Sequence, residues 1–124
     1  MAIKRILIID DEDDIREVAQ LSLEMLMKWD IFTASSGEEG VKKAIEFHPD
    51  AILLDVMMPG KDGPATLLML QQEPLTQHIP VIFLTAKTQS KEQISFAQMG
   101  VKAVITKPFD PLNLADQITE ALGW

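Results

Sequence analysis

Cysteine is absent from the 124 residues, which excludes disulfides and thiolate metal sites and is compatible with a reducing cytosol. Basic residues are few: 11 Lys and Arg stand against 19 Asp and Glu, a formal net charge of −8. A chain so charged lacks the basic face that binds phosphate backbones or anionic lipid. Direct contact with nucleic acid or membrane is not expected, and a cation or a basic partner surface is favoured. No apolar run approaches the roughly 18 residues of a membrane span, and no signal peptide is visible at the start. The expected location is the cytoplasm. Repeats, low-complexity segments and linkers are missing too. His48 and His78 each stand just before a proline or two residues from one, and both read as loop residues rather than ligands.

What is present fits one domain, residues 1–124, long enough to bury about two thirds of its unfolded surface without staples. The chain is organised around residues 50–63, Asp-Ala-Ile-Leu-Leu-Asp-Val-Met-Met-Pro-Gly-Lys-Asp-Gly. Ala51, Ile52, Leu53 and Leu54 show no polar alternation and read as a strand buried on both faces, as in a parallel sheet covered by helices. Asp55 ends that run. An ionised carboxylate leaving a core needs a cation, donors or water.

The remaining elements alternate. Residues 4–9 form a strand that stops at the acidic run Asp10, Asp11, Glu12, Asp13 and Asp14. A helix then begins, with Asp13 or Asp14 as N-cap and Ile15, Val18, Ala19, Ser22, Met25, Leu26 and Trp29 on one face. Residues 30–34 form a short strand. Ser36 and Glu39 match a capping box that opens a helix ended by Pro49. After the central strand, Pro64 suits the first turn of a helix carrying Leu67, Leu68 and Leu70, which Pro74 closes. Residues 80–84 form a buried strand ending at Thr85. Ser90 and Gln93 match a second capping box, and Gly100 stops the helix it opens. Residues 101–105 form a fifth strand, an edge because Lys102 interrupts it. Asp110 and Pro111 then cap a last helix that buries Leu114, Ala115, Ile118 and Leu122.

Five strands alternating with five helices predict an α/β fold: a parallel sheet with right-handed crossovers and helices on both faces. Functional groups in such sheets gather at the carboxyl ends of the strands. Here those ends carry Asp10, Asp11, Asp55 and Thr85, with Lys107 just past a fourth. Taken singly, each has a plainer reading: Asp10 and Asp11 as helix caps, Asp55 as a turn residue, Thr85 as a strand-end hydroxyl, Lys107 as a solvated lysine. Taken together, three carboxylates at one edge repel, by roughly 3 kcal/mol for a pair about 5 Å apart at an effective dielectric near 20. A hard divalent cation removes that repulsion, and Mg²⁺ takes one or two carboxylates while keeping water and phosphate oxygens. Lys107 and the Thr85 hydroxyl would address a phosphoryl oxygen. The constellation suits phosphoryl transfer to or near a carboxylate.

The chain resembles the response-regulator receiver domains of bacterial two-component signalling, in their chemotaxis-regulator-like form. The resemblance spans essentially the whole sequence and is carried by Asp10-Asp11, by Asp55 with Met58-Pro59-Gly60 and Asp62-Gly63, by Thr85-Ala86, and by Lys107-Pro108-Phe109. It implies a flavodoxin-like 2-1-3-4-5 strand order and a phosphorylation-dependent signalling role. It implies Asp55 as phosphoacceptor; Mg²⁺ held by Asp10, Asp11, Asp55 and the Met57 carbonyl; and Thr85 and Lys107 on the phosphoryl group. The implied donor is a phosphohistidine on a sensor histidine kinase or phosphotransfer protein. Such a domain is no enzyme but assists its own phosphorylation and dephosphorylation, and in this family the phosphoryl lifetime varies with the positions of Met57 and Lys87.

Two departures matter. The position three before Lys107, often an aromatic switch in these domains, is Val104. Switching is then expected through Thr85 and the loop 86–89, with the downstream partner on the face built from residues 90–124, from Ser90 to Trp124, and Phe96 either an apolar anchor for it or a packed residue. The chain also ends just after the last helix, as a stand-alone receiver or one cut from a longer protein. Among competing readings, a Mg²⁺-dependent aspartyl phosphatase lacks an insertion to build a substrate pocket. A flavodoxin-like nucleotide binder would need glycines where the first loop has carboxylates. A receiver-like module that binds without accepting phosphate would not need all five positions.

Overall fold

Short apolar segments, each followed by a polar turn and an amphipathic segment, fold as strands and helices in strict alternation. They are β1 (Arg5–Ile9), α1 (Asp13–Met27), β2 (Asp30–Ala34), α2 (Gly37–Phe47), β3 (Ala51–Asp55), α3 (Gly63–Gln72), β4 (Val81–Thr85), α4 (Ser90–Gln98), β5 (Ala103–Thr106) and α5 (Leu114–Leu122). The computed structural model describes residues 3–86 and 90–124, without the side chains of 90–93. All pairs are parallel and the sheet runs β2-β1-β3-β4-β5, the order the resemblance implies.

Period-two alternation divides the core. Leu7, Ile9, Ile52, Leu54 and Phe83 face one side, with Ala44 of α2, Leu67 and Leu70 of α3, and Phe96 of α4. Ile6, Ile8, Leu53, Ile82 and Leu84 face the other, with Ala19 and Leu23 of α1 and Leu114 and Ile118 of α5. Every β3 and β4 residue is buried, which is why those runs carry no polar alternation. Strand order reverses between β1 and β3, so their carboxyl ends open onto the crevice where such folds place their chemistry.

Local chemistry sets the helix ends. Ser36 caps α2 by accepting the Glu39 amide at 3.2 Å. Glu39 reaches back to the Ser35 amide at 2.6 Å, one residue earlier than a capping box requires. The Asp62 carboxylate accepts the Ala65 amide at 2.9 Å and Pro64 sits in the first turn of α3. At the amino-terminal ends of the strands, Trp29 and Trp124 meet edge to face, centroids 5.6 Å apart, with the Lys4 ammonium 4.5 Å from the Trp124 ring. No helix among the described residues is long and apolar enough to cross a membrane.

Several local expectations are corrected. The buried face of α1 is Ala19, Ser22 and Leu23, whereas Val18, Met25 and Leu26 are exposed and Trp29 lies beyond the helix; apolar residues ring this helix, so periodicity alone does not pick the core side. Its N-cap is Glu12, one residue before Asp13. β5 begins at Ala103, and Lys102 precedes it rather than interrupting it, its amide donating to the Val81 carbonyl at 2.8 Å. Asp110 holds a turn by accepting the Leu112 amide at 2.9 Å, so α5 starts only at Leu114. Phe96 is no surface anchor: it is buried edge to face against Phe83, centroids 5.2 Å apart. The side chains of Ser90 and Gln93, and residues 87–89 including Lys87, lie outside the described residues.

Candidate functional site

Two strands deliver carboxylates to one point. Asp10 follows β1, its amide still bonded to the Ala34 carbonyl at 3.1 Å, and Asp55 is the last residue of β3. Both are buried. A lysine arrives from the third side: the Lys107 amide donates to the Thr85 carbonyl at 2.9 Å, which continues the β4–β5 register past Thr106. The Lys107 side chain, 10% exposed, places Nζ 2.7 Å from Asp10 Oδ2, 3.1 Å from Asp55 Oδ1 and 3.4 Å from Glu12 Oε1. The Lys107–Pro108 peptide bond is cis.

Backbone and side chain hold the acidic loop in place. Asp10 Oδ1 accepts the Glu12 amide at 2.9 Å, and the Arg16 guanidinium donates to the Asp10 carbonyl at 2.8 Å. Asp55 Oδ1 also accepts the Met57 amide at 3.3 Å. Asp55 Oδ2 and Asp11 Oδ1 are buried with no hydrogen-bond partner among the described residues. Carboxylate oxygens of Asp10, Asp11, Glu12 and Asp55 lie within 4.8 Å of one another. Carboxylates gathered this closely are the hard oxygen donors that Mg²⁺ takes, and these residues would hold it.

The electrostatics follow from that crowding. Four carboxylates against one ammonium leave three net negative charges when all are ionised. Burial first, and the Asp10 charge second, push the Asp55 carboxyl up to about 7, against the pull of Lys107. Burial opposes charge on Lys107, but Asp10 and Asp55 outweigh it and hold its ammonium above the ordinary lysine value. The lysine therefore stays charged while Asp55 shares a proton near neutrality. An oxygen nucleophile, a fixed cation beside it and a cluster of carboxylates that could hold a hard cation together suit attack on a phosphoryl group.

Asp10, Asp11, Asp55 and Lys107 thus converge as expected from the sequence. Thr85 is buried at the adjacent strand end, one residue beyond the Asp55–Leu84 pair. The Met57 side chain is 61% exposed while its amide serves Asp55, and Met58 is packed in the core. Val104 is half-buried and packs against the core. Glu12 and Arg16 escaped sequence reasoning as site residues. Glu12 stands inside a run of five acids, where composition gives no hint of direction; the spacing of Arg16, six residues after Asp10, was the available signal.

Comparison with known proteins identifies the family. Residues 6–119 match the response regulator receiver domain family. The alkaline phosphatase synthesis transcriptional regulatory protein PhoP of Bacillus subtilis is 41% identical over 119 residues, covering 96% of this chain and 48% of that protein. The phosphate regulon transcriptional regulatory protein PhoB of Pseudomonas aeruginosa is 37% identical, covering 96% and 52%. The chain thus spans about half the length of these relatives. Among solved structures, a putative response regulator from Chloroflexus aurantiacus superposes with a TM-score of 0.89 at 31% identity, covering 99% of this chain and 100% of that one. Chemotaxis protein CheY4 of Vibrio cholerae gives 0.89 at 25% identity, covering 97% and 99%. The chain belongs to the response regulator receiver family, whose members take phosphate from histidine kinases and signal through phosphoaspartate and Mg²⁺.

Proposed function

We propose that Asp55 is the phosphoacceptor of this receiver and that Oδ2 is the attacking atom. The observation that carries this reading is the pairing of a buried Oδ2 without a hydrogen-bond partner with an Oδ1 held by Lys107 and the Met57 amide. The carboxylate is oriented through one oxygen and leaves the other for the incoming phosphorus. Oδ2 forms the new P–O bond as the P–N bond to the donor histidine breaks. The bonding pair returns to the imidazole nitrogen, and the product is an acyl phosphate. Lys107 meets the charge on the phosphoryl oxygens, and Thr85, at the next strand end, supplies a hydroxyl donor. Mg²⁺, held by Asp10, Asp11, Asp55 and the Met57 carbonyl, would supply a second positive charge on the transferring group.

In this reading the chain is a single receiver domain, residues 1–124, that turns over no separate substrate and assists only its own phosphorylation and dephosphorylation. It works in the cytoplasm. The kinase or phosphotransfer protein supplies the phosphoryl group, and a protein partner reads it on the face of residues 90–124. A groove of 440 Å³ between β5 and α5 supports that face; its lining includes Val104, Phe109, Asp116 and Glu120. The relatives are named as transcriptional regulators, but the charge of −8 favours protein contact over direct DNA contact for this stretch.

The test is transfer from a small acyl phosphate in the presence of Mg²⁺, followed by intact mass. The parent gains one phosphoryl group and Asp55→Asn gains none. Stoichiometric label surviving on Asp55→Asn would remove the assignment.

A further inference from the structure

We infer that Glu12 is a latch: it holds Lys107 in the unphosphorylated protein and is the partner that Lys107 gives up when the phosphoryl group arrives. The inference rests on Asp55 as phosphoacceptor and concerns a residue outside the acceptor and its expected metal ligands.

An ammonium has three N–H groups, and three carboxylate oxygens already surround Lys107 Nζ, at 2.7 Å from Asp10, 3.1 Å from Asp55 and 3.4 Å from Glu12. A phosphoryl oxygen must displace one of them. Asp10 is fully buried and makes the shortest contact, at 2.7 Å, out of water's reach, so it is the costliest of the three to give up. Asp55 carries the new group and stays where it is. Glu12 is 59% exposed and makes the longest contact, so water replaces the lysine there at little cost.

The backbone of Glu12 is fixed independently of its side chain. Its amide donates to Asp10 Oδ1 at 2.9 Å and its carbonyl accepts the Arg16 amide at 3.1 Å. The carboxylate therefore engages and releases Lys107 without moving the loop, and substitutions there leave the metal-ligating carboxylates in position. Glu12 acts through Lys107 and touches no reacting atom, which makes it a positioning residue that favours the unphosphorylated state.

Two substitutions separate a latch from a mere effect of net charge. Glu12→Gln removes the charge, whereas Glu12→Asp keeps it but draws back by one methylene, out of reach of Lys107. The full chain is phosphorylated by acetyl phosphate at saturating Mg²⁺, and affinity for trifluoroberyllate, a phosphoryl mimic that needs no turnover, is measured by calorimetry. Both variants should label several-fold faster than the parent and bind the mimic several-fold more tightly. If Glu12→Asp matches the parent while Glu12→Gln is faster, only the general field matters and the latch is wrong. If neither variant differs from the parent, it is wrong as well. A parent that takes no label on Asp55 would instead overturn the phosphoacceptor reading, and the latch with it.

Discussion

Gly63 meets Asp55 backbone to backbone: a Cβ built on Gly63 would stand 2.7 Å from the Asp55 carbonyl oxygen and 2.7 Å from the Val56 Cα. The Gly63 amide donates to the Val56 carbonyl at 2.9 Å, which draws the start of α3 down onto the end of β3. Gly63 is thus required for closeness, not for an unusual φ. Gly63→Ala should destabilise the fold by about 1–3 kcal/mol, the usual cost of overpacking, and slow phosphorylation by shifting the acceptor. Urea midpoints together with labelling rates check both effects, and an unchanged midpoint would contradict the contact.

Crowding of Asp10, Asp11 and Asp55 makes stability depend on a cation. At about 100 times its dissociation constant, Mg²⁺ should add about 2.7 kcal/mol if the unfolded chain does not bind it. Asp11→Ala should raise metal-free stability and cancel the Mg²⁺ effect. Thermal melts with and without the ion decide this, and a parent insensitive to Mg²⁺ would count against the site.

The raised Asp55 value, about 7 against an ordinary 3.8, gives a pH dependence of definite sign. Below the ordinary value both folded and unfolded chains hold the proton. Between the two values only the folded chain does, so this group's contribution to stability falls as pH rises through that window. The slope is at most about 1.4 kcal/mol per pH unit. Metal-free urea midpoints from acid to neutral pH should fall more steeply for the parent than for Asp55→Asn. Equal slopes would refute the attribution.

Thr66, buried in α3 against Gly37, has a hydroxyl with no partner among the described residues. Thr66→Val keeps the shape and deletes the stranded oxygen, so it should stabilise by about 1 kcal/mol. Chemical denaturation reads this directly, and a loss of stability would show that the hydroxyl is satisfied.

The strands and their carboxyl ends were legible because Ile6 to Ile9, Ile52 to Leu54 and Ile82 to Leu84 are buried on both faces, and such burial writes an unbroken apolar run that a carboxylate or threonine visibly ends. The helix faces were less legible. In α1 the exposed Val18, Leu21, Met25 and Leu26 overlay the buried Ala19 and Leu23, and a helical period fits either stripe. Asp110 offered the same side-chain oxygen to a turn as to a helix cap, and the turn won. Within the site, identity was readable and direction was not. A run of five acids does not reveal that Glu12 turns toward Lys107, 95 positions away.

The Trp29–Trp124 pair has an optical consequence. These are the chain's two tryptophans, and they lie at the amino-terminal ends of the strands, whereas Asp10, Asp55 and Lys107 lie at the carboxyl ends. A five-residue strand separates the two ends by roughly 16 Å, beyond the reach of a contact quencher. Intrinsic fluorescence should therefore follow the loss of the Trp29–Trp124 contact during unfolding and stay unchanged when a cation or phosphoryl group arrives at Asp55.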